Sequence, residues 1–390
     1  MLFKGFTFGV PKEILPGERR VAATPETVKK LTERGAQVII ENSAGKGSYF
    51  NDDEYRAAGA EILKNAETIF ERSDILLKVK EPQFNTAVGK HETDMMRSGQ
   101  CLIAFLHPAF PGNHEMVRAL AARKVTSFTL DFIPRISRAQ QMDALTSMST
   151  VAGYKGMLLA ACELPKFIPM IGTASGMIQP AHVFVIGAGV VGLQAVATAK
   201  RLGAVVHATD IRTEACEQAA SVGAKVVDMG IPQEFAVGEG GYAKKLTGEW
   251  LARERENLTV QVEKSDIIIL SALIPGKIAP VLITEDMVQS MQAGSVIVDI
   301  AIDQGGNCEI TGIGETVVKH GVTILGIQNI PGTVPKSSTG MYAKNIYYFV
   351  ENLIQDGSVN VNMDDEVITT CLLTRNGEIV HAGAREAMNL

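Results

Sequence analysis

Val183-Phe-Val-Ile-Gly-Ala-Gly-Val-Val-Gly192 is the stretch on which the fold turns. Its first four residues are the apolar run of a strand buried on both faces. Glycines follow at 187, 189 and 192, and an Ala-rich helical segment runs on to Leu202. Gly187 allows a tight turn, Gly189 lets backbone approach a diphosphate, and Gly192 lets the helix pack closely on the strand. The diphosphate then meets free N–H groups at the helix start, around Val190 and Val191. Val205–Thr209 reads as the next strand, and Asp210 ends it, 18 residues after Gly192. A carboxylate there accepts from adenosine ribose hydroxyls and repels a 2′-phosphate. The Asp210-Ile211-Arg212 corner is therefore expected to favour NAD(H), with Arg212 leaving NADP disfavoured only. A lone glycine motif is weak, but here strand, helix, second strand and acidic residue all fall in place.

The rest of the chain suits this unit. With 390 residues, 46% hydrophobic and 21% charged, two domains are expected. A net charge of −6 with no Lys/Arg block argues against nucleic acid or an anionic membrane as partner. Cysteines 101, 162, 216, 308 and 371 show no CxxC spacing. A reduced cytoplasmic setting with neither disulfide framework nor metal site is the expectation. The N-terminus lacks a signal-peptide layout. No apolar stretch approaches the roughly 18 residues needed to cross a bilayer, so no membrane insertion is expected.

Short apolar runs alternate with helical patterns from the start. Phe6–Val10, Gln37–Ile40, Ile75–Val79, Leu102–Leu106 and Thr126–Leu130 read as strands, with a helix capped by Thr24-Pro25 and ending near Gly35. Arg138 to Leu164 has few breakers and reads as one long helix joining two domains. A second α/β series runs from His182 to about Ile330. A loop, Asn329 to Thr339, and a helix, Met341 to Ile354, return the chain to the first domain. Val367–Leu373 and Ile379–His381 read as a hairpin about Asn376-Gly377, where Asn-Gly supplies the positive φ of a type I′ turn. The expected fold is α/β: two Rossmann-like domains with parallel sheets, a cleft between them, and a C-terminal β-hairpin. Residues 1–136 with 331–390 form the first domain, and 137–330 the NAD(H)-binding domain.

Four polar residues sit where strands stop: Lys80, His107, Asp303 and Asn329. A His for proton transfer, a Lys to polarise a carbonyl and an Asp to orient them would suit hydride chemistry on a keto acid. The competing reading is ordinary, since a His before Pro at a strand end is often a satisfied loop residue. His182 and His207 flank buried strands and read as packing residues.

Several segments resemble one family across essentially the whole chain: alanine dehydrogenase together with the NAD(H)-binding component of proton-translocating transhydrogenase. They are Val10-Pro-Lys-Glu to Arg20-Val-Ala-Ala-Thr-Pro25, Leu273-Ile-Pro-Gly-Lys-Ile-Ala-Pro280 and Gly294-Ser-Val-Ile-Val-Asp299. The resemblance adds Ala272, Leu273 and Asn329 to the cofactor set. Pro134-Arg-Ile-Ser-Arg-Ala-Gln-Gln-Met-Asp143 is similar to the transhydrogenase loop that holds the nicotinamide, with Arg135, Gln140 and Asp143 in place. Roughly forty residues separate Lys225–Val227 from Ile267–Leu270, more than a crossover needs. They include Gly240-Gly-Tyr-Ala-Lys244, similar to a mobile loop closing over nucleotide with Tyr242 at its tip. Gly305-Gly-Asn-Cys-Glu309 and the C-terminal hairpin also look like transhydrogenase. That branch implies a peripheral homodimeric subunit on the inner face of the cell membrane, docked on membrane and NADP-binding subunits, and the end of the chain at Leu390 suits such a split arrangement. Arg20, Lys80, His107 and Asp303 match instead the substrate and catalytic positions of alanine dehydrogenase, the alternative. The two long loops favour transhydrogenase.

Overall fold

The computed structural model describes residues 1–238, 243–274 and 278–390. Tyr242 and the glycines before it lie outside the described residues, as do Pro275-Gly-Lys277. The chain forms two compact units, Met1–Met148 with Gly332–Leu390, and Ser149–Pro331.

Following the chain, β1 (Thr7–Val10) is succeeded by α1 (Pro25–Glu33), β2 (Gln37–Glu41), β3 (Glu61–Leu63), β4 (Ile75–Leu77), β5 (Cys101–Ala104) and β6 (Thr126–Thr129). Thr24 starts α1 through a reciprocal cap: the Thr24 hydroxyl accepts from Thr27 N–H, and the Thr27 hydroxyl accepts from Thr24 N–H. Ser137–Met142 is a 3-10 turn, and helix α2 (Ala144–Glu163) begins only after it. The long helix expected from Arg138 is thus shorter. Asp143 resets the backbone by accepting from Thr146 N–H and the Thr146 hydroxyl, at 2.7 and 2.6 Å.

The second unit holds β7 (His182–Ile186), α3 (Val190–Arg201), β8 (Val205–Thr209), β9 (Lys225–Val226), α4 (Gly248–Val262), β10 (Ile267–Leu270), β11 (Val296–Asp299), β12 (Thr316–Lys319) and β13 (Val322–Leu325). Gly153 of α2 lets that helix press on the first turn of α3, because a Cβ there would stand 2.1 Å from the Val191 carbonyl oxygen. In the insertion before α4, Val237 pairs with Ala243, and Phe235 stacks on Trp250 with centroids 5.1 Å apart. Helix α5 (Pro335–Leu353) follows in the first unit, then β14 (Leu372–Arg375) and β15 (Glu378–Ile379). It starts six residues before the expected Met341, because Pro335 is pre-set for a first helical turn.

The second unit's sheet runs β9-β8-β7-β10-β11-β13-β12, parallel except where β12 meets β13. The first unit's sheet runs β15-β14-β6-β5-β4-β1-β2-β3, parallel from β6 to β3 and edged by the antiparallel β14–β15 hairpin. Strand β7 shows why such strands read as unbroken apolar runs. Val183 and Val185 pack into one core with α2 and α3, whereas Phe184 and Ile186 pack into another with α4. Each buried side chain of this size contributes about 1.5–3 kcal/mol.

The C-terminal hairpin forms, with Asn376 at φ 54° and Gly377 at φ 93°, as a type I′ turn requires. Its first strand is shorter than expected: Glu366–Cys371 is a helix, capped by Asp365, which accepts from Val367 N–H at 2.8 Å.

Candidate functional site

In the second unit, β7 has β8 on one side and β10 on the other, so the strand order reverses about it. Ligands in open α/β sheets bind at the carboxyl ends of strands at such a point. Gly187 leaves β7 at φ 91°, and its N–H donates to Thr209 O at 2.9 Å. The Ser271 hydroxyl, just past β10, donates to Gly187 O at 2.8 Å. A Cβ on Gly192 would lie 1.9 Å from that same oxygen, so only glycine lets α3 start so close to the turn. Gly189 caps α3 with no side-chain hydrogen bond, and a Cβ built on it meets nothing within 4 Å. An uncapped helix start facing open space fits a diphosphate. The helix then continues through Val190 and Val191, both half-buried.

Asp210 closes the other side. Its carboxylate accepts from Ala188 N–H at 2.9 Å, and from the Arg212 N–H, Nε and Nη2, each at 2.9 Å. Asp210 thus ties the glycine turn to Arg212, and it holds Arg212 more firmly protonated than usual. Ile211 is half-buried, and its carbonyl accepts from Gln233 Nε2 at 3.0 Å. Sequence reasoning missed Glu254 of α4, whose carboxyl is buried beside Asp210. Burial, and then the Asp210 charge, push its pKa up to about 7.

Beyond β10, Ala272 and Leu273 are half-buried. The Ala272 N–H donates to Asn307 Oδ1 at 2.9 Å, a second contact with no sequence-level expectation. Asp303 lies in a 3-10 turn, Ile300–Gln304, and not at the strand end, because β11 stops at Asp299, whose carboxylate caps the turn through Ala301 N–H. Exposed Asp303 accepts from Asn329 N–H at 3.2 Å, so the structure joins those two expected residues. Asn329 itself sits at φ 49°, four residues past the end of β13.

The first unit groups other expected residues. His107 follows β5 at φ 43°, half-buried, and stacks on Phe105. Its Nδ1 is 3.2 Å from Glu81 Oε2 and its Nε2 is 3.6 Å from Asp131 Oδ1. Asp131 also accepts from His107 N–H at 2.9 Å. Glu81, although largely buried, is held below the usual carboxylate range by the hydrogen bond from His107 and by the charges of His107 and Lys80. Lys80 and His107 therefore gather around Glu81, a residue without any distinguishing mark in the sequence. Arg20 is buried in the same unit, within electrostatic reach of Tyr342, which packs on Phe105. Its Nε and Nη2 meet Glu18 at 2.8 and 2.6 Å, and Nη1 points to Met148 Sδ at 3.0 Å.

Arg135 and Gln140 are exposed on the loop before α2, and Asp143 is the half-buried helix cap. The loop is anchored where Asn345 of α5 donates to Gln141 O at 2.8 Å. Arg138, one turn along, pairs with Asp365 at 2.6 Å.

Comparison with known proteins identifies the lineage. The model "Alanine dehydrogenase/PNT, N-terminal domain" matches residues 9–152, and the corresponding C-terminal domain model matches residues 156–382. The chain belongs to the alanine dehydrogenase/PNT family. This is a family of oxidoreductases, and its members include both branches weighed above. An NAD(P) transhydrogenase subunit alpha protein of Rhodospirillum rubrum is 43% identical over 375 residues, which is 95% of this chain and 97% of that protein. The crystal structure of transhydrogenase from Sinorhizobium meliloti superposes with a TM-score of 0.82 at 38% identity, covering 96% of this chain and 99% of the other. Alanine dehydrogenase of Methanococcus maripaludis is 33% identical over 390 residues, 98% of this chain and 96% of its own.

Proposed function

We propose that this chain is the NAD(H)-binding peripheral subunit of a proton-translocating transhydrogenase. The observation that carries the reading is the 43% identity, end to end, with the Rhodospirillum rubrum transhydrogenase alpha protein, against 33% for the alanine dehydrogenase above. The second unit fits the cofactor: the glycine turn and the α3 start take the diphosphate, and Asp210 takes the ribose. NADH, when bound, supplies the hydride, which passes to NADP⁺ held by a partner subunit. The chain's own residues bind, orient and exclude water, with no proton to move at the reacting carbon. Arg135, Gln140 and Asp143 are assigned to the nicotinamide half and Tyr242 to closure over it.

Membrane docking on separate subunits and a homodimeric state belong to the same proposal. Among the described residues no helix is long and apolar enough to cross a membrane. For the homodimer, the second unit offers the hairpin Ile171–Thr173 with Gly176–Ile178, where Met177 is 63% exposed and Phe167 and Met170, just before the hairpin in sequence, are also exposed.

One observation favours a second reading. His107 stands between two carboxylates with Lys80 at hand, the groups an alanine dehydrogenase needs for proton transfer and carbonyl polarisation. In that reading Arg20 takes the substrate carboxylate and Asp303 orients the site. Purified protein with NAD⁺ and L-alanine at alkaline pH, followed by NADH absorbance, separates the two. No turnover in a chain that still binds NADH is the expected result. Turnover lost in His107→Ala would replace the transhydrogenase assignment with an amino-acid dehydrogenase.

A further inference from the structure

Asn307 is fully buried in the second unit, and its side-chain amide makes three hydrogen bonds. Oδ1 accepts from Ala272 N–H at 2.9 Å, and Nδ2 donates to Ala272 O at 2.9 Å and to Pro280 O at 2.8 Å. The side chain pairs with the Ala272 backbone as a neighbouring strand would, past the point where β10 itself ends. Behind it, Asp299 Oδ2 accepts from the backbone N–H of Asn307 at 2.8 Å and of Cys308 at 3.0 Å. Two consecutive glycines make the turn that delivers Asn307 inward: Gly305 lies at φ 105° and Gly306 at φ 82°. A Cβ on Gly306 would fall 2.8 Å from Asp299 Oδ2.

On its other side Ala272 touches the nucleotide turn. A Cβ on Gly187 would lie 2.7 Å from Ala272 N. Asn307, Ala272 and Gly187 are therefore stacked in sequence, with the Gly187 turn resting on a peptide that Asn307 fixes. We infer that Asn307 is a positioning residue for the dinucleotide crevice: acting through Ala272, it sets the β10 side of the switch point. The inference rests on the proposed NAD(H) site and says which half of it depends on Asn307. A dinucleotide spans both sides of β7, its adenosine half on the Asp210 side and its other half over β10. Loss of Asn307 thus acts on NADH and spares AMP, which reaches only the Asp210 side.

The test titrates the wild-type chain, Asn307→Ala and Asn307→Ser with NADH, by fluorescence, and with AMP, by calorimetry. The serine hydroxyl restores part of the polar contact, so it provides a folded variant if the alanine chain does not fold. The expected result is NADH affinity about tenfold weaker in the variants, with AMP affinity within about twofold of wild type. Unchanged NADH affinity overturns the inference, and so does an equal fall for both ligands, the mark of a merely structural role. A wild-type chain that binds AMP but not NADH would defeat the cofactor assignment itself, and this inference with it.

Discussion

Gly187 and Ala272 are in backbone contact across the mouth of the second unit's sheet: an added Cβ on Gly187 would stand 2.7 Å from the Ala272 nitrogen and 2.9 Å from its Cα. Both atoms are backbone, and Asn307 holds that backbone from behind, so neither can yield. Gly187→Ala adds the strain of φ 91°, of order 1–3 kcal/mol for a non-glycine residue. We expect at least a tenfold loss of NADH affinity together with destabilisation of about 1–3 kcal/mol, read by fluorescence titration and urea unfolding. Wild-type NADH affinity in this variant would mean the turn is not the diphosphate seat.

Asp210→Asn keeps the size of the side chain while removing the charge that holds Arg212 and repels a 2′-phosphate. Arg212 is then released toward an incoming phosphate. The expected outcome is NADH binding roughly tenfold weaker and NADPH binding unchanged or tighter, so that the preference narrows. Dissociation constants for both nucleotides in both proteins check it. An unaltered ratio would remove Asp210 from nucleotide selection.

What could be read from the chain alone follows from how local the signals are. Val183–Gly192 and Asp210 were legible because glycine positions and apolar runs report backbone demands within one βα unit. Asn307 was not, since its partner Ala272 is 35 residues away and only the sheet order brings them together. The glycine pair before it was the available hint: two residues at positive φ exist to aim the third. Glu254 was hidden more thoroughly. Within Arg253-Glu-Arg-Glu256 it looks like one charge of a solvated helix face, and only packing shows that this carboxyl points inward. In the same way Glu81 and Asp131 show nothing until β4, β5 and β6 lie side by side around His107. Element assignments failed where a capping side chain outweighed the apolar pattern: Asp143 delays the long helix, and Asp365 turns the start of an expected strand into a helix.

Lys78 is fully buried between Glu13 and Glu92, at 3.3 and 3.1 Å. Burial outweighs the lysine at Glu13, whose carboxyl is pushed up to about 7, whereas the two carboxylates hold Lys78 above its usual value. Removing the shared cation leaves two carboxyl groups in an apolar core, and breaking such a pair costs about 3–5 kcal/mol. Lys78→Met is expected to lose stability on that scale at pH 8. The loss should be smaller at pH 5, where the orphaned Glu13 carboxyl takes up a proton. Urea unfolding at the two pH values reads this directly, and an equal loss at both would show that shape rather than charge holds the site.

The exposed hairpin of the second unit sets the expected mass. Met177→Asp places a charge on its most exposed large apolar side chain. Sedimentation of the wild-type chain should give about twice the 41.8 kDa protomer, and the variant should shift toward one protomer at micromolar concentration. A wild-type mass other than that of a dimer would count against the transhydrogenase proposal. A dimer untouched by the substitution would move the interface elsewhere.

Glu254 makes stability depend on pH with a defined sign. Its carboxyl is raised from 4.5 to about 7 in the folded chain, by burial first and the Asp210 charge second. Between those values the folded state binds more protons than the unfolded state, so this group's contribution falls as pH rises through the window. It is fully present below about pH 4.5 and lost above about pH 7. Glutamine has the same shape and nothing to ionise, so Glu254→Gln should be near neutral at pH 5 and stabilising at pH 8. A shift of this size caps the gain at about 3.5 kcal/mol, at about 1.4 kcal/mol per unit. Thermal unfolding of both proteins from pH 5 to pH 8 measures it. The difference in melting temperature should open with pH, and a difference that stays constant would mean that Glu254 is not ionising inside the fold.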